Sequence, residues 1–427
     1  MIQKYIAVYK GLPKGVYLLF VSTVINKLGG FITPLMTLIL TVKIGFSETQ
    51  VGLFTTLALL SQAPFILLGG VCVDRYGGKK VLVTLHVLGA ILYLICGLLE
   101  PSFLVAILIV IASNVYAMAS PAPNAIIPMV TPQNLVKNAY SLLYLGLNLG
   151  LAIGPLIGGL LFNNYLSLLF VIDAITTLLS AGLILIFFKE NPTVEDANRI
   201  DSEHNTSQIE IRSDAKTNSL YKFLYKNPTL FIFTIILLMY NFCYIQWNFM
   251  LPLQSVALFK GNGPQYFSLL LSFNAITVVA FSPILTSLTH KIHALKSIFL
   301  GGILYMIAFL LFAMSQSMLF FIFAIVIMTL GEILIAINAI SYIATSIPKK
   351  YFGRANSLLF IVSGIGYAIG PVIMGYIMAL TSFRNAWFIV VLIMLFAIIL
   401  MYLLGISQRG WHSKASGIPS EKSKDIL

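Results

Sequence analysis

Long apolar runs follow one another from one end of this 427-residue chain to the other, separated by short polar breaks. A bilayer core of about 30 Å is crossed by about 20 apolar residues in an α-helix. Transmembrane β-strands would be about ten residues long and would alternate in polarity. The pattern therefore predicts about twelve membrane-spanning helices, over residues 16–42, 50–73, 81–99, 103–127, 139–162, 166–188, 228–257, 266–289, 297–315, 318–346, 355–380 and 386–406.

Composition supports an all-α membrane protein rather than two or three soluble domains. Only 9% of the residues are charged, 59% are hydrophobic, and the mean hydropathy is +0.95. Such values are typical of polytopic membrane proteins. The first apolar run is too long for a signal peptide, contains Lys27 and lacks a small-residue cleavage site, so we expect a retained helix.

The distribution of basic residues predicts the topology. The formal net charge is +12, which alone would be compatible with nucleic-acid binding. With a cytoplasmic N-terminus and twelve alternating helices, however, most of the 26 Lys and Arg residues fall in cytoplasmic segments. This is the positive-inside pattern. It predicts a multi-pass protein with both termini in the cytoplasm, and it removes the argument for nucleic acid.

The chain divides into two similar halves. The polar segment 189–227 has mixed charge and no apolar periodicity, which predicts a cytoplasmic linker between helical bundles at 1–188 and 228–406, followed by a cytoplasmic tail at 407–427. The segment "SLLYLGLNLGLAIGPLIGG" (141–159) aligns without a gap with "SLLFIVSGIGYAIGPVIMG" (357–375). Six helices per half make the repeats parallel, and transporters built this way bind substrate near the midplane between the halves.

The sequence contains no pattern typical of an enzyme, a metal site or an ATPase. Its three cysteines, Cys72, Cys96 and Cys243, are isolated and indicate neither disulfides nor metal binding. It has no His-Glu-x-x-His pair, nucleophile triad or Walker-type phosphate loop. We therefore expect no cofactor, no metal ion, no ATPase subunit and no enzymatic activity.

Two motifs resemble those of the major facilitator superfamily. The segment "GGVCVDRYGGKKVL" (69–82) resembles its signature loop between the second and third helices, with a glycine at 78 where the family usually has arginine. The segment "GLNLGLAIGPLIGG" (146–159) resembles the fifth-helix motif of the twelve-helix drug/proton antiporter branch. The matching residues are Gly70, Asp74, Arg75, Gly77, Lys79, Gly146, Gly150, Gly154, Pro155, Gly158 and Gly159.

A third segment, "NKLGGFITPL" (26–35), is similar to the start of many bacterial efflux-type members, with lysine in place of arginine. The fourth-helix arginine typical of the antiporter branch has no equivalent, because Ser113 and Asn114 occupy that region. The resemblance implies two pseudo-symmetric six-helix bundles. It also implies that the first, fourth, seventh and tenth helices line a central cavity.

Each motif has a physical interpretation. Asp74 and Arg75, at a membrane–cytosol boundary, could form an ion pair that breaks and reforms as the halves move; a solvated turn is the alternative. The glycines at 146, 150, 154 and 158 lie on one helical stripe, which favours close contact with another helix. Pro155 predicts a bend in that helix.

Three formally charged residues lie well inside the predicted spans: Lys27, Asp173 and Glu332. A charge at the bilayer centre costs at least about 2.5–3.5 kcal/mol, so it normally faces a partner or water. Asp173 is interpreted as structural. Because the resemblance places Lys27 and Glu332 at similar depth on cavity-lining helices, we predict that they carry proton coupling. A buried pair that only locks the halves together is the alternative.

Polar and aromatic residues predict the lining of the cavity. One stripe runs along the fourth helix at steps of three and four residues, and another covers one face of the seventh. Helix–helix hydrogen bonding and aromatic anchoring at the interface are the alternatives. The predicted lining residues are Asn26, Ser113, Tyr116, Ser120, Asn124, Tyr240, Asn241, Tyr244, Trp247, Asn248 and Asn338.

These features lead to a functional hypothesis. We expect a proton-coupled secondary transporter that exports small organic molecules, such as multidrug or amphiphilic compounds, from a bacterial inner membrane as a monomer. Its partners would be the substrate, protons and the lipid bilayer. Transport of a specific metabolite such as a siderophore or sugar, in either direction, is one alternative, and a transport-inactive membrane receptor is another.

Overall fold

The computed structural model describes residues 9–188, 228–289, 292–346 and 352–408, with side chains described outside 344–361. Within those ranges the chain is α-helical apart from short turns, and it contains no β-strand. The predicted linker at 189–227 and nearly all of the predicted tail at 407–427 lie outside the described residues.

The helices follow the predicted runs in order. In the first half they are α1a (Lys14–Gly29), α1b (Ile32–Leu38, continued by a π-helical turn at Ile39–Lys43), α2 (Glu48–Tyr76), α3 (Gly78–Leu98), α4a (Phe103–Ala119), α4b (Pro121–Val130), α5 (Val136–Phe162) and α6 (Leu166–Phe187). In the second half they are α7 (Pro228–Phe259), α8 (Gly263–Thr289), α9 (Ala294–Met314), α10 (Met318–Ser346), α11 (Phe352–Leu380) and α12 (Phe383–Ser407).

Eleven helical segments of the described chain are long and apolar enough to cross a membrane. One of them, Pro228–Thr289, is 62 residues long, about three times what a bilayer requires. It consists of α7 and α8, which are joined by a short 3-10 turn at Lys260–Asn262. With these two helices counted separately, the described residues contain the twelve predicted spans.

The internal repeat is visible in the helix boundaries. Each helix of the second half begins at a nearly constant distance along the chain after its counterpart in the first half. For α5 and α11, which start at Val136 and Phe352, this distance equals the one that aligns 141–159 with 357–375 in the sequence. Pro155 and Pro371 both lie inside these two helices. Both halves therefore follow one plan of six helices.

Two of the predicted helices are interrupted. The first stops at Gly29, and its second part starts at Ile32 after Gly30, whose ψ of 64° is not helical. The fourth is divided at Ser120, immediately before a proline at the first position of α4b. Proline lacks the N–H that would continue the hydrogen-bond ladder, whereas its fixed φ suits a helix start. The spans predicted at 16–42 and 103–127 are therefore each built from two helical parts, a detail that the apolar pattern did not predict.

The described residues form two compact units. The first contains the helices of the first half together with Gln246–Val279 and Ala368–Thr381, and the second contains the described residues within 228–245, 280–367 and 382–408. The first unit thus includes the ends of α7, α8 and α11 that the charge pattern predicts to face outwards. The domain boundaries predicted from the repeat stay a prediction.

Candidate functional site

The interruption of the first helix lies at the middle of the apolar run 16–42. Gly29 is buried, and a Cβ added there would overlap the hydroxyl of Thr176 on α6. Only glycine permits this approach, and the adjoining Gly30 leaves the helical conformation. Backbone groups freed by a break inside a membrane must find partners in the protein. The break therefore needs polar residues around it.

Asp173 on α6 is one of these partners. Its Oδ2 accepts a hydrogen bond from the backbone N–H of Ile32, at 3.4 Å, where α1b starts. The Asp173 side chain is 5% exposed, and it interacts electrostatically with Lys27, in the last turn of α1a. A cation at a helix C-terminus and a carboxylate on free N–H groups both oppose the local backbone dipoles. The structure thus places a carboxylate where it interacts electrostatically with Lys27 within the first half of the chain, and the structural interpretation of Asp173 stays a prediction.

Helices α1a and α6 are also joined by a polar seam. Ser22 and Ser180 are 2.6 Å apart through their hydroxyls, and the Asn26 amide donates to the Thr177 hydroxyl at 2.9 Å. Asn26, predicted to line the cavity, therefore uses its amide for helix packing. The polar positions 173, 176, 177 and 180 follow helical spacing along α6, and this was the available sequence signal for the seam.

The glycine stripe of α5 packs against the first helix, as its spacing predicts. Cβ atoms added at Gly146 and Gly158 would press on Phe20 and Phe31, at 2.8 and 3.1 Å. One added at Gly154 would lie 2.6 Å from the Lys27 carbonyl oxygen, and one at Gly150 would overlap the Lys27 Cβ. The fifth helix therefore packs directly against the backbone and Cβ of Lys27. Gly159 faces another way and approaches Ser268 on α8.

Three more polar side chains surround the Lys27–Asp173 pair. Tyr93 on α3 and Tyr116 on α4a interact electrostatically with Asp173, and His86 on α3 does so with Lys27. Both hydroxyls and Nδ1 of His86 are buried without a partner in hydrogen-bonding geometry among the described residues. Thr33 and Thr177 are the polar neighbours of Tyr93 and Tyr116. This buried set forms a polar cluster inside the first bundle.

The predicted stripe on the fourth helix is spread over several environments. Ser113 is buried and donates to its own helix at Val110, whereas the neighbouring Asn114 accepts from Ser61 on α2. The ring of Tyr116 packs on Gly89, so this side chain belongs to the buried cluster. Ser120 and Asn124 are exposed. A common cavity face for the four predicted residues stays a prediction.

Glycines shape the turn between α2 and α3. Gly77 ends α2 with φ of 83°, a conformation that favours glycine. Gly78, where the family usually has arginine, faces Ile126 on α4b, and a Cβ there would be 2.7 Å from that side chain. The glycine at 78 therefore fits local packing. Gly70 has no neighbouring heavy atom within 4 Å of an added Cβ.

The charged residues of the same turn have different surroundings. Lys79 donates from Nζ to the carbonyl oxygen of Phe188, at 2.6 Å, and so stabilises the C-terminus of α6. Asp74 and Arg75 are exposed, and the Arg75 guanidinium lies 5.3 Å from the centroid of the Tyr76 ring. The conformational role of Asp74 and Arg75 stays a prediction.

Contacts at the predicted outer end of the first unit join α2 to α11. A Cβ added at Gly52 would overlap the carbonyl oxygen of Pro371, and it would lie 3.3 Å from the Gly375 Cα. The backbone N–H of Val372, next to that proline, donates to the Thr56 hydroxyl at 3.1 Å. Two backbones thus touch with almost no side chain between them. We call this contact the α2–α11 seam.

Further polar contacts lie at the same end. Thr37 donates from its hydroxyl to the carbonyl oxygen of Asn248 on α7, at 3.4 Å. The Asn163 amide donates to the Gly261 carbonyl oxygen at 2.7 Å, and the Asn163 carbonyl accepts from Lys43 Nζ at 2.7 Å. Sequence analysis identified none of these contacts, because the residues that meet here are 98 to 211 positions apart.

In the second unit, Glu332 on α10 lies among tyrosines. It interacts electrostatically with Tyr305 on α9 and Tyr367 on α11. Tyr244 on α7 stacks on Tyr305, with ring centroids 5.7 Å apart and an interplanar angle of 22°, and its ring lies 6.4 Å from that of Tyr367. Glu332 and Tyr244 are partly exposed. Aromatic faces and a carboxylate therefore meet in one cluster, which we call the tyrosine cluster.

The other predicted residues of α7 and α10 are distributed between packing and partly exposed positions. Tyr240 is 1% exposed and packs against Gly302 on α9, and Trp247 is 3% exposed near Phe267 on α8. Asn241 and Asn338 each donate to a carbonyl oxygen four residues earlier in their own helix. Asn241 and Asn248 are partly exposed, as a cavity lining requires.

Comparison with known proteins places this geometry in a family. The family model of the Major Facilitator Superfamily matches residues 19–261 and 261–424. A "Na(+), Li(+), K(+)/H(+) antiporter" of Planococcus maritimus is 22% identical over 369 residues, covering 81% of this chain and 85% of the relative.

Solved structures agree on the fold. That of the nucleoside transporter NupG has a TM-score of 0.72 at 14% identity and covers 93% of this chain and 99% of its own. That of the peptide transporter POT in complex with sulfate has a TM-score of 0.71 at 16% identity, covering 93% and 95%. At these identities the likeness concerns the fold alone. The family match, which spans nearly all of both repeats, shows that the chain belongs to the Major Facilitator Superfamily of membrane transporters.

Proposed function

We propose that this transporter exports small lipophilic organic cations in exchange for protons. The observation that carries the proposal is the tyrosine cluster, in which Glu332, the only carboxylate of α10, interacts with Tyr305 on α9 and Tyr367 on α11. Aromatic faces attract cations through their quadrupole, by up to about 2 kcal/mol when water is excluded. A carboxylate among such rings suits a delocalised organic cation better than an anion or a sugar.

One carboxylate can serve both the substrate and the proton. A carboxylate removed from water keeps its charge more readily when a cation lies close to it. A bound organic cation therefore favours the carboxylate, and departure of that cation favours proton uptake. Competition of this kind couples export to proton entry, because the two ligands cannot both neutralise the same charge.

Alternating access provides the movement. The parallel repeat of six helices and the family membership support rocking of two bundles around a site near the midplane. Contacts such as the α2–α11 seam support a closed state on the outer side. We infer further that both termini are cytoplasmic, that the protein lies in the cell membrane and that it acts as a monomer.

Exchange of monovalent metal cations for protons is a second candidate. The Planococcus maritimus relative is named as a Na(+), Li(+), K(+)/H(+) antiporter, and the two chains are similar over most of their length. The same carboxylate would serve, but the ring faces around it favour a large apolar cation. Pulses of NaCl, LiCl or KCl instead of the organic cation, in proteoliposomes with an acidic lumen, distinguish the two candidates.

We predict that Glu332→Gln abolishes gradient-driven transport while leaving the fold intact. In proteoliposomes with an acidic lumen and a potassium-clamped membrane potential, the wild type accumulates radiolabelled tetraphenylphosphonium. The variant accumulates at least about tenfold less, which corresponds to about 1.4 kcal/mol. Glutamine keeps the size of the side chain but cannot take up a proton, so its melting temperature in detergent should match that of the wild type.

Glu100→Gln is the matched control, because Glu100 is exposed after the end of α3. That variant should transport like the wild type. Uphill accumulation of the probe by Glu332→Gln at the wild-type rate would remove Glu332 from the mechanism.

A further inference from the structure

The polar cluster inside the first bundle has no part in the proposed function so far. Its centre is the Lys27–Asp173 pair, next to the helix break at Gly29 and Gly30. Lys27 precedes the break, and Asp173 accepts from Ile32 beyond it. Asp173 is 5% exposed, whereas Lys27 is partly exposed. The titratable groups that face the pair are His86 and Tyr93 on α3 and Tyr116 on α4a.

A purely structural role explains this cluster poorly. A buried ion pair is often no more stabilising than apolar residues of similar volume, because both charges lose their hydration. An asparagine at position 173 would also accept the hydrogen bond from Ile32. In addition, the hydroxyls of Tyr93 and Tyr116 have Thr33 and Thr177 as polar neighbours, whereas Nδ1 of His86 is buried without a hydrogen-bonding partner among the described residues. Such groups are uncommon in native structures and call for an explanation.

The arrangement connects the charge on Asp173 to the position of α1b. Lys27 belongs to α1a, whereas the N–H donor of Ile32 belongs to α1b, beyond the break. At its other end α1b contacts α7 through Thr37 and Asn248, in the part of the structure predicted to face out. A displacement of α1b would therefore remove a donor from Asp173 while leaving Lys27 in place.

We propose that Asp173 is a second proton-binding site, independent of Glu332. The position of α1b determines whether Asp173 is protonated. With α1b seated, the Ile32 N–H and the Lys27 ammonium offset the cost of burying the carboxylate. When α1b moves as the outer side opens, the carboxylate loses a donor and takes up one proton from water on that side. When α1b returns, the Ile32 N–H again favours the carboxylate, and the oxygen gives that proton back to water. The inference rests on the proposed function only in that both involve protons.

Infrared spectroscopy of the full-length protein in liposomes tests the inference without any substrate. The carbonyl stretch of a protonated, buried carboxylic acid should grow as pH falls. Asp173→Asn should remove one component of this band, whereas Glu332→Gln should leave that component in place. Ser180→Ala removes the hydrogen bond between Ser22 on α1a and Ser180 on α6 without changing a titratable group. This variant should leave the Asp173 component and its midpoint unchanged.

Opening the outer side should shift the titration. In Gly52→Val, where the added side chain forces α2 away from Pro371, the midpoint of the Asp173 component should rise, because the carboxylate loses a backbone donor. Asp173→Glu provides a second variant should Asp173→Asn fail to fold, and it should move the component rather than remove it.

Two results would overturn the inference. One is a band that is the same with and without Asp173, and the other is an Asp173 component whose midpoint does not move in Gly52→Val. Failure of the proposed function would look different. Tetraphenylphosphonium would not be transported, and the infrared titration would still show the Asp173 component.

Discussion

Replacing Gly52 with valine should abolish net transport and hold the protein open at its predicted outer end. A Cβ at this position overlaps the carbonyl oxygen of Pro371 and lies 3.0 Å from its carbonyl carbon and 3.3 Å from the Gly375 Cα. These are backbone atoms, so no rotamer change relieves the overlap. Overpacking of this kind costs about 1–3 kcal/mol. The cost falls only on the closed state, because α2 and α11 touch there.

Labelling from outside the cell measures the shift. A single cysteine replaces Asn241, predicted to line the cavity, in a variant whose three natural cysteines are alanine. With Gly52→Val added, reaction with a membrane-impermeant maleimide should become roughly tenfold faster, as about 1.4 kcal/mol of population shift implies. Gly182→Val on α6, where an added Cβ meets no heavy atom within 4 Å, should label slowly and transport normally. Full transport by stable Gly52→Val protein would show that separation of the α2–α11 seam is not part of the transport cycle.

Replacing Lys27 with methionine should destabilise the protein strongly, and a second substitution at Asp173 should restore most of the loss. Removal of one partner leaves the buried carboxylate of Asp173 without its cation, at a cost of about 3–5 kcal/mol. The double variant Lys27→Met/Asp173→Asn has no unpaired charge. It also keeps an oxygen that can accept from Ile32.

Thermal unfolding in detergent, compared across the wild type, both single variants and the double variant, measures the coupling between the two residues. The difference in melting temperature between the wild type and Lys27→Met should become smaller at acid pH, because protonation of Asp173 removes the unpaired charge. If the stability losses of the two single variants simply add in the double variant, the two side chains do not interact. In that case Lys27 would have another partner.

Sequence alone predicted the large-scale fold because membrane helices are specified by length and polarity. The number of spans, the constant spacing between the two halves and the contact made by the glycine stripe of α5 all follow from local patterns. The break at Gly29 and Gly30 was missed because two glycines in an apolar run do not by themselves end a helix. What accompanies the break is the close approach of Thr176 to Gly29 and the carboxylate of Asp173, which accepts the N–H of Ile32.

The partners of the intramembrane charges could not be predicted. The energetic argument correctly indicated that Lys27 and Glu332 need polar surroundings. Periodicity assigns residues to a face of a helix but does not say which helix that face meets. In the structure Lys27 interacts with Asp173, five helices later in the same half, and Glu332 interacts with Tyr305 and Tyr367. A role of Lys27 and Glu332 in proton coupling stays a prediction.

The direction of proton movement tests the central claim most directly. Purified wild-type protein is reconstituted in liposomes that contain a pH-sensitive dye and have an acidic lumen, and tetraphenylphosphonium is added outside under a potassium clamp. Exchange predicts that the lumen becomes more alkaline as the probe enters, and that this response disappears in Glu332→Gln. Acidification of the lumen, or entry of the probe without any change in lumen pH, would contradict proton exchange.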